Sequence, residues 1–344
     1  MKTIYIAGNF LSKSVGVRGA GEDLAEKLRA NYWSVISASS HPGRLKRLID
    51  LLWTAWSNRD KYQIAIVEVY SDLAFCWAEI VCLLLRLIKK PYVLTLHGGK
   101  LPEFAQKNSS RMRRLLFSAN AVTTPSKYLQ QELRGIHENI IYLPNGIELN
   151  AYPYRRLYAP KPKLIWLRAF HQIYNPELAI VVLTQLVGEY PDATLTMIGP
   201  DKGDGSLPEV RRLIEKYHLT KSVSIMGTIP KDQVGQYLSE GNVFLNTTNY
   251  ESFGVSVMEA AACGLCIVTT DAGELPILWE DEVDALIVPI NDSKAMADAV
   301  IRILTEPGLA QKLSTNARKK TENYCWPVIL PQWEALFEKV LNHG

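Results

Sequence analysis

Two carboxylates and a glycine turn fall close together in the stretch Asn246–Asp271, NTTNYESFGVSVMEAAACGLCIVTTD. Glu251 stands in a polar loop, Ser252-Phe253-Gly254 turns the chain, and Val255 to Ala262 has helical composition. Gly254 carries no Cβ, so the backbone there can approach a ligand closely. The amides of Gly254, Val255 and Ser256 are then the unpaired donors of a helix N-terminus, which suits an anion. Glu259, eight residues after Glu251, follows about one and a half turns into that helix. Phosphate-binding amides flanked by two acceptors for sugar hydroxyls are what a nucleotide sugar requires. The bland alternative is a capped helix with two unrelated glutamates.

These residues need strands and helices to hold them. The apolar run Val243 to Leu245 predicts a strand before the loop, and β-branched Ile267 to Thr269 predicts another after the helix. The same alternation of strand and helix runs through both halves of the 344-residue chain, which predicts an α/β protein of two doubly wound, Rossmann-like domains facing a cleft. Residues 1–155 form the first domain in this reading and residues 156–322 the second, with a proline- and tyrosine-rich linker around Asn150–Lys163. The apolar segment Leu73–Ile88 is too short and too charged to span a bilayer and is expected to be a core helix. Lys100–Phe117 is expected to be one basic amphipathic segment, and Asp271–Glu282 a loop.

Charge and cysteines narrow the class. Residues 1–155 carry 21 Lys and Arg against 12 Asp and Glu, a net +9, which leaves −6 for the remainder and +3 overall. Such asymmetry points to an anionic partner for the first half, or to a merely soluble basic face. Nothing in the pattern suggests nucleic acid. No secretory signal precedes the first strand, so the five cysteines are expected to be reduced thiols of a cytoplasmic protein. Cys263-Gly-Leu-Cys266 has redox spacing, but it ends a helix and enters a strand, so packing is the expected role. The Gly8–Gly21 loop after the first strand is neither a dinucleotide fingerprint nor a Walker A loop.

The pattern E-S-F-G-x-x-x-x-E-A-x-A-x-G at Glu251–Gly264 closely resembles the signature of glycosyltransferase family 4, whose members are retaining enzymes of the GT-B fold. Further resemblances are Gly16 in the first loop, His97-Gly98-Gly99, Pro144-Asn145-Gly146-Ile147-Glu148 at the exit of the first domain, and Tyr324-Cys-Trp326, where the family's last helix crosses back. The third segment is accordingly residues 323–344. The resemblance implies transfer of a sugar from a nucleotide diphosphate sugar to a glycan or lipid-linked acceptor, as in cell-envelope or exopolysaccharide synthesis. It assigns the sugar hydroxyls to Glu251, the ribose to Glu259, the diphosphate to Arg168 with the amides of Gly254, Val255 and Ser256, the transferred sugar to His97, and the base to Gly227, Thr228 and Ile229. Ser252, Phe253 and Gly16 join the donor-binding set. The family's G-R opening is reduced to Leu167-Arg168, and Tyr174 stands where a phosphate-binding Lys is expected. Lys202, in a glycine-rich loop, is a steric substitute for it. No Asp-x-Asp occurs, so no metal or other cofactor is expected. Epimerisation or phosphorolysis in the same cleft, or a non-catalytic sugar-binding scaffold, are the other readings. Family members often work at the inner membrane face. The basic cluster Arg111, Arg113 and Arg114 with Phe117, and Trp53 and Trp56 near Arg44, Lys46 and Arg47, make an anionic membrane surface a further expected partner.

Overall fold

The computed structural model describes residues 2–10, 19–41 and 43–343. It divides into two compact units, residues 1–146 with 324–344, and residues 147–323.

The first unit is built on a six-stranded parallel sheet in the order β2-β1-β3-β4-β5-β6. The strands are β1 (Thr3–Ala7), β2 (Ser34–Ala38), β3 (Ile64–Val69), β4 (Tyr92–Leu96), β5 (Ala121–Thr124) and β6 (Ile140–Tyr142). The central strands β1, β3 and β4 are predominantly apolar on both faces, as a sheet covered on both sides requires. In β1, Tyr5 and Ala7 pack into one core and Ile4 and Ile6 into the other. Helices α2 (Arg44–Ser57), α3 (Leu73–Leu87), α4 (Leu101–Lys107), α5 (Ser109–Leu116) and α6 (Lys127–Glu132) contribute to the first core. Helix α1 (Ala20–Ala30) and the last helix of the chain, α14 (Trp326–His343), build the second. Trp326, Ile329, Trp333, Leu336 and Phe337 of α14 are buried there against Ile4, Leu24, Leu28 and Trp33. Each such side chain contributes about 1.5–3 kcal/mol of gross burial, which attaches the C-terminal helix to this unit.

The segment Lys100–Phe117 is two helices rather than one. Asn108 ends α4 with its side chain donating to the Phe104 carbonyl (3.0 Å), and α5 starts immediately after it.

The second unit carries a six-stranded parallel sheet in the order β12-β11-β10-β7-β8-β9. Its elements are β7 (Lys163–Leu167), α7 (Pro176–Leu186), β8 (Thr194–Ile198), α8 (Ser206–Lys216), β9 (Val223–Gly227), α9 (Val234–Ser239), β10 (Val243–Asn246), α10 (Val255–Cys263), β11 (Cys266–Thr270), α11 (Leu275–Leu278), β12 (Leu286–Val288), α12 (Ser293–Thr305) and α13 (Leu309–Glu322). The short helix α11 interrupts the segment expected to be a loop. Trp166, Leu183, Met197, Val268 and Val300 anchor the core.

The chain changes units at Gly146, earlier than residue 155. Residues 147–155 belong with the second unit because their contacts lie there. Tyr152 is buried and donates to Glu259 (2.9 Å), and the Arg155 side chain donates to the Gly241 carbonyl (2.7 Å).

In both sheets the order of strand addition reverses once. In the first unit the reversal falls between β1 and β3, and in the second between β7 and β10. Loops leaving adjacent strands at such a point diverge and open a crevice at the carboxyl ends, where doubly wound sheets bind ligands.

Candidate active site

In the second unit the crevice is lined by the loops after β7 and β10. Arg168 follows β7 directly, with its amide on the Ile198 carbonyl (3.0 Å). Gly199 permits this: at φ +148° a Cβ there would lie 1.8 Å from the Arg168 carbonyl oxygen. The Arg168 guanidinium lies over the Tyr174 ring, 5.0 Å from its centroid, and forms an ion pair with Glu251. Its Nε is buried without a hydrogen-bond partner. A buried donor in that condition costs about 1–3 kcal/mol, so it is poised to gain from an anion. Burial lowers the Arg168 pKa, an effect opposed by Tyr174 and Glu259. The ring at position 174 thus supplies a platform for the arginine where a second cation was expected.

Glu251 leaves the loop after β10 and is 7% exposed. Its Oε1 accepts from the amides of Ser252 (3.0 Å) and Phe253 (3.2 Å). Those two amides therefore hold Glu251 rather than a phosphate. The next three are different. Gly254 sits at φ +87°, a left-handed conformation that favours glycine, and caps α10. The helix opens at Val255, and Val257 and Met258 are the first residues whose amides bond back, to the Gly254 carbonyl. The amides of Gly254, Val255 and Ser256 are left as the donor end of a helix dipole. Ser256 Oγ, buried beside them, has no hydrogen-bond partner.

Glu259 projects from the second turn of α10 and is 4% exposed. It is ion-paired to Lys231 and accepts from Tyr152 Oη (2.9 Å) on the same oxygen, Oε1. Neither partner was singled out from the sequence. Lys231 follows the expected base-binding residues in G-T-I-P-K, and its sign opposite Glu259 was the available clue; Tyr152 lies in the proline-rich linker and gave none.

The remaining expected residues scatter. Gly227 and Ile229 are half-buried at the end of β9, and Thr228 is exposed. Lys202 has its amide on the Phe170 carbonyl (3.2 Å) and an exposed side chain; the described contacts do not link it to Arg168, Glu251 or Glu259. Gly16 lies outside the described residues. The C-x-x-C thiols are packing groups. Cys263 and Cys266 are buried, their pKa values are pushed up to about 12 by burial, and they point at the Gly235 (3.6 Å) and Ala310 (3.4 Å) carbonyls.

In the first unit, His97 follows β4 with its amide on the Val69 carbonyl (2.9 Å). Its ring stacks on Tyr70, with centroids 5.3 Å apart and planes at 22°. Burial pushes its pKa down to about 4. At neutral pH it is therefore an uncharged imidazole that can donate one hydrogen bond and accept another.

The family profile described as Glycosyltransferase Family 4 matches residues 15–151, and that described as Glycosyl transferases group 1 matches residues 155–320. The chain belongs to glycosyltransferase family 4. Among its relatives, a phosphatidylinositol N-acetylglucosaminyltransferase component from Arabidopsis thaliana is 29% identical over 167 residues, 48% of this chain and 36% of that protein. The N-acetyl-alpha-D-glucosaminyl L-malate synthase of Bacillus anthracis is 26% identical over 183 residues, 52% of this chain and 46% of that protein. The matches thus span between a third and a half of those relatives' length. The Anabaena protein HepE, solved in complex with UDP and glucose, has a TM-score of 0.79 at 17% identity, covering 98% of this chain and 100% of that one. Sucrose-phosphate synthase from Thermosynechococcus elongatus has a TM-score of 0.80 at 19% identity and covers both chains completely, at 100%. These likenesses establish the GT-B fold for this family 4 chain.

Proposed function

We propose that this family 4 chain is a retaining glycosyltransferase that moves a sugar from a nucleotide diphosphate sugar to a lipid-linked or glycan acceptor of the cell envelope. The observation that carries the reading is the unpartnered, buried Nε of Arg168, in the loop beside the one that leads to the three helix-opening amides of Gly254, Val255 and Ser256. Cation and amides together suit a diphosphate, and neutralise it without a metal. Glu251, whose oxygens are held by the Ser252 and Phe253 amides and by Arg168, accepts from the sugar hydroxyls on its remaining lone pairs. Glu259, held by Lys231 and Tyr152, receives the ribose, and Gly227, Thr228 and Ile229 border the base. His97, neutral at working pH, bonds the transferred sugar without adding a competing cation. In front-face displacement the bond from C1 of the sugar to the diphosphate oxygen breaks as the bond from C1 to the acceptor oxygen forms, on the same face. The acceptor proton passes to the departing phosphate oxygen. Arg168 and the amides stabilise the charge that develops there. The names of the lipid- and malate-directed relatives support an acceptor outside the nucleotide class.

The acceptor reading extends to location, at the inner face of an anionic membrane. The apolar side chains Leu45, Ile49, Trp53 and Trp56 of α2 and Ile80, Leu83 and Leu87 of α3 are all exposed. Ile49, Leu52, Trp53, Trp56, Ile80 and Leu84 share one open, almost wholly apolar groove between the two helices. Lys46 on α2 and Arg86 on α3 are exposed, and Arg59 lies 4.7 Å from the Trp56 ring centroid. Tryptophan with a cationic rim suits the interface of an anionic bilayer. The α5 cluster is less free than its sequence suggests: Arg111 is paired with Glu79 (2.5 Å), which leaves Arg113 and Arg114 exposed beside Phe117. No helix among the described residues is long and apolar enough to cross a membrane.

The test is a screen of UDP-, GDP- and ADP-sugars read as nucleotide release, repeated with excess EDTA, followed by NMR of the product anomer. Release that needs an acceptor, survives EDTA and gives a product of the donor's anomeric configuration supports the reading; inversion overturns it. Sedimentation with anionic and neutral vesicles tests the location. Equal recovery on both, or unchanged binding after Trp53→Ser with Trp56→Ser, removes the membrane.

A further inference from the structure

The crevice of the first unit holds a carboxylate that the proposed chemistry does not use. The register of β1 against β3 pairs Ala7 with Val67, so the chain leaving β1 runs beside Glu68. Glu68 Oε2 accepts from the Asn9 amide (3.1 Å) and from Tyr70 Oη (3.2 Å). A further hydrogen bond comes from the Gly21 amide at the start of α1. Both ends of the loop that joins β1 to α1 therefore converge on one side chain. The glycines record how closely: a Cβ on Gly8 would lie 2.6 Å from Glu68 Oε2, and one on Gly21 would lie 2.2 Å from Oε1. Neither glycine needs an unusual φ; each is small because the carboxylate fills the space. Tyr70 carries the contact onward, since its ring is the one stacked on His97.

We propose that Glu68 is a positioning residue for transfer, clamping the two ends of the first loop and, through Tyr70, fixing the ring of His97. The inference rests on the assignment of His97 to the transferred sugar. An ionised Glu68 accepts from all three donors at once. A protonated one carries a hydrogen on one oxygen: facing an amide it releases that donor, and facing Tyr70 Oη it reverses that hydrogen bond, so charge-assisted contact is lost either way. Burial raises its pKa to about 7, against the opposing hydrogen bonds of Asn9, Tyr70 and Gly21. Glu22 of α1 adds to the rise, while Arg47 of α2, which donates to Asn9 Oδ1 (3.0 Å), faces the same crevice. The clamp is thus complete above neutrality and loosened below it.

The experiment is the pH profile of kcat/KM between about 6 and 8, bracketing the Glu68 pKa, for nucleotide release from whichever of UDP-, GDP- and ADP-glucose is turned over fastest. The parent should show one inflection near 7 with the higher rate on the alkaline side. Glu68→Gln keeps the bulk and cannot ionise. Its profile should be flat near the parent's acid-side level, about tenfold below the alkaline plateau, the loss of one charge-assisted hydrogen bond. Tyr70→Phe keeps the ring stack and removes the donor that favours the ionised form, so its inflection should move to higher pH. That second variant preserves the test if Glu68→Gln does not fold. A parent profile without the inflection, an unaltered inflection in Glu68→Gln, or an unshifted one in Tyr70→Phe overturns the proposal. His97→Ala separates the two levels: retained release there removes the assignment of His97 itself, whereas loss there with an unshifted Tyr70→Phe profile removes only the role of Glu68.

Discussion

Replacing Arg168 by methionine separates its structural duty from its chemical one. The substitution keeps aliphatic bulk against Tyr174 and removes the charge. Glu251 would then be a carboxylate 7% exposed, with Oε1 still held by two amides and Oε2 without its cation. Breaking a buried pair from one side costs about 3–5 kcal/mol. The two remaining amide bonds put this case at the low end, about 3 kcal/mol, and a domain of this size loses about 2–4 °C of Tm per kcal/mol. The second unit should therefore melt about 6–12 °C lower. Arg168→Met with Glu251→Gln places a neutral amide in the same pocket and should recover most of that loss. Transfer should not recover. A preorganised donor missing from the departing diphosphate costs about 10²–10³ in rate, and both variants lack it. Calorimetry and nucleotide release measure the two effects on the same samples. A single variant that melts with the parent would refute the coupling of Arg168 to Glu251, and a double variant that regains transfer would refute the direct role of Arg168 at the departing diphosphate.

The other predictions follow from neighbouring contacts. His97 is held neutral, with a folded pKa of about 4 against 6.5 for the free side chain. The unfolded chain therefore binds the extra proton first as pH falls from 6.5 to 4, and stability is lost across that window; His97→Gln should flatten this part of the melting curve, and an unchanged acid limb would contradict it. Lys231→Ala leaves the buried Glu259 without its cation and with the Tyr152 hydrogen bond; nucleoside diphosphate affinity, measured by calorimetry, should fall by about tenfold, and Tm should fall too, for the same reason as at Glu251. Tyr174→Lys should tighten nucleoside diphosphate binding by adding a cation, while Tyr174→Phe, which preserves the ring under Arg168, should bind as the parent does; equal affinity in all three proteins would remove Tyr174 from the phosphate site.

The sequence by itself determined the strand and helix alternation, because apolar periodicity is a local property of the chain. It also determined the turn and helix that carry the two glutamates. Glu251, Gly254 and Glu259 lie within one turn-and-helix unit, where spacing in sequence is spacing in space. The packing role of Cys263 and Cys266 was legible for the same reason, since a helix end entering a strand leaves both thiols inside. Tertiary structure decided what depends on loops from distant strands. The adjacency of β7 and β10 brings Arg168 to Glu251, and no local pattern encodes that pairing. The same holds for Lys231 and Tyr152, which reach Glu259 from a different loop and from the linker. It also decided how Tyr174 is used, as a surface under a guanidinium. Glu68 was hidden most completely: in the sequence it is one polar residue in a buried strand, and its meaning comes from Gly8 and Gly21 closing on it from the neighbouring strand and helix. The two exposed apolar helix faces show the converse limit. Composition marks α2 and α3 as apolar helices, but burial against the sheet leaves a second apolar stripe uncovered on each. Only the packed structure distinguishes the stripe that faces the core from the one that does not, because a helix apolar on most of its surface does not encode which face its neighbours will cover.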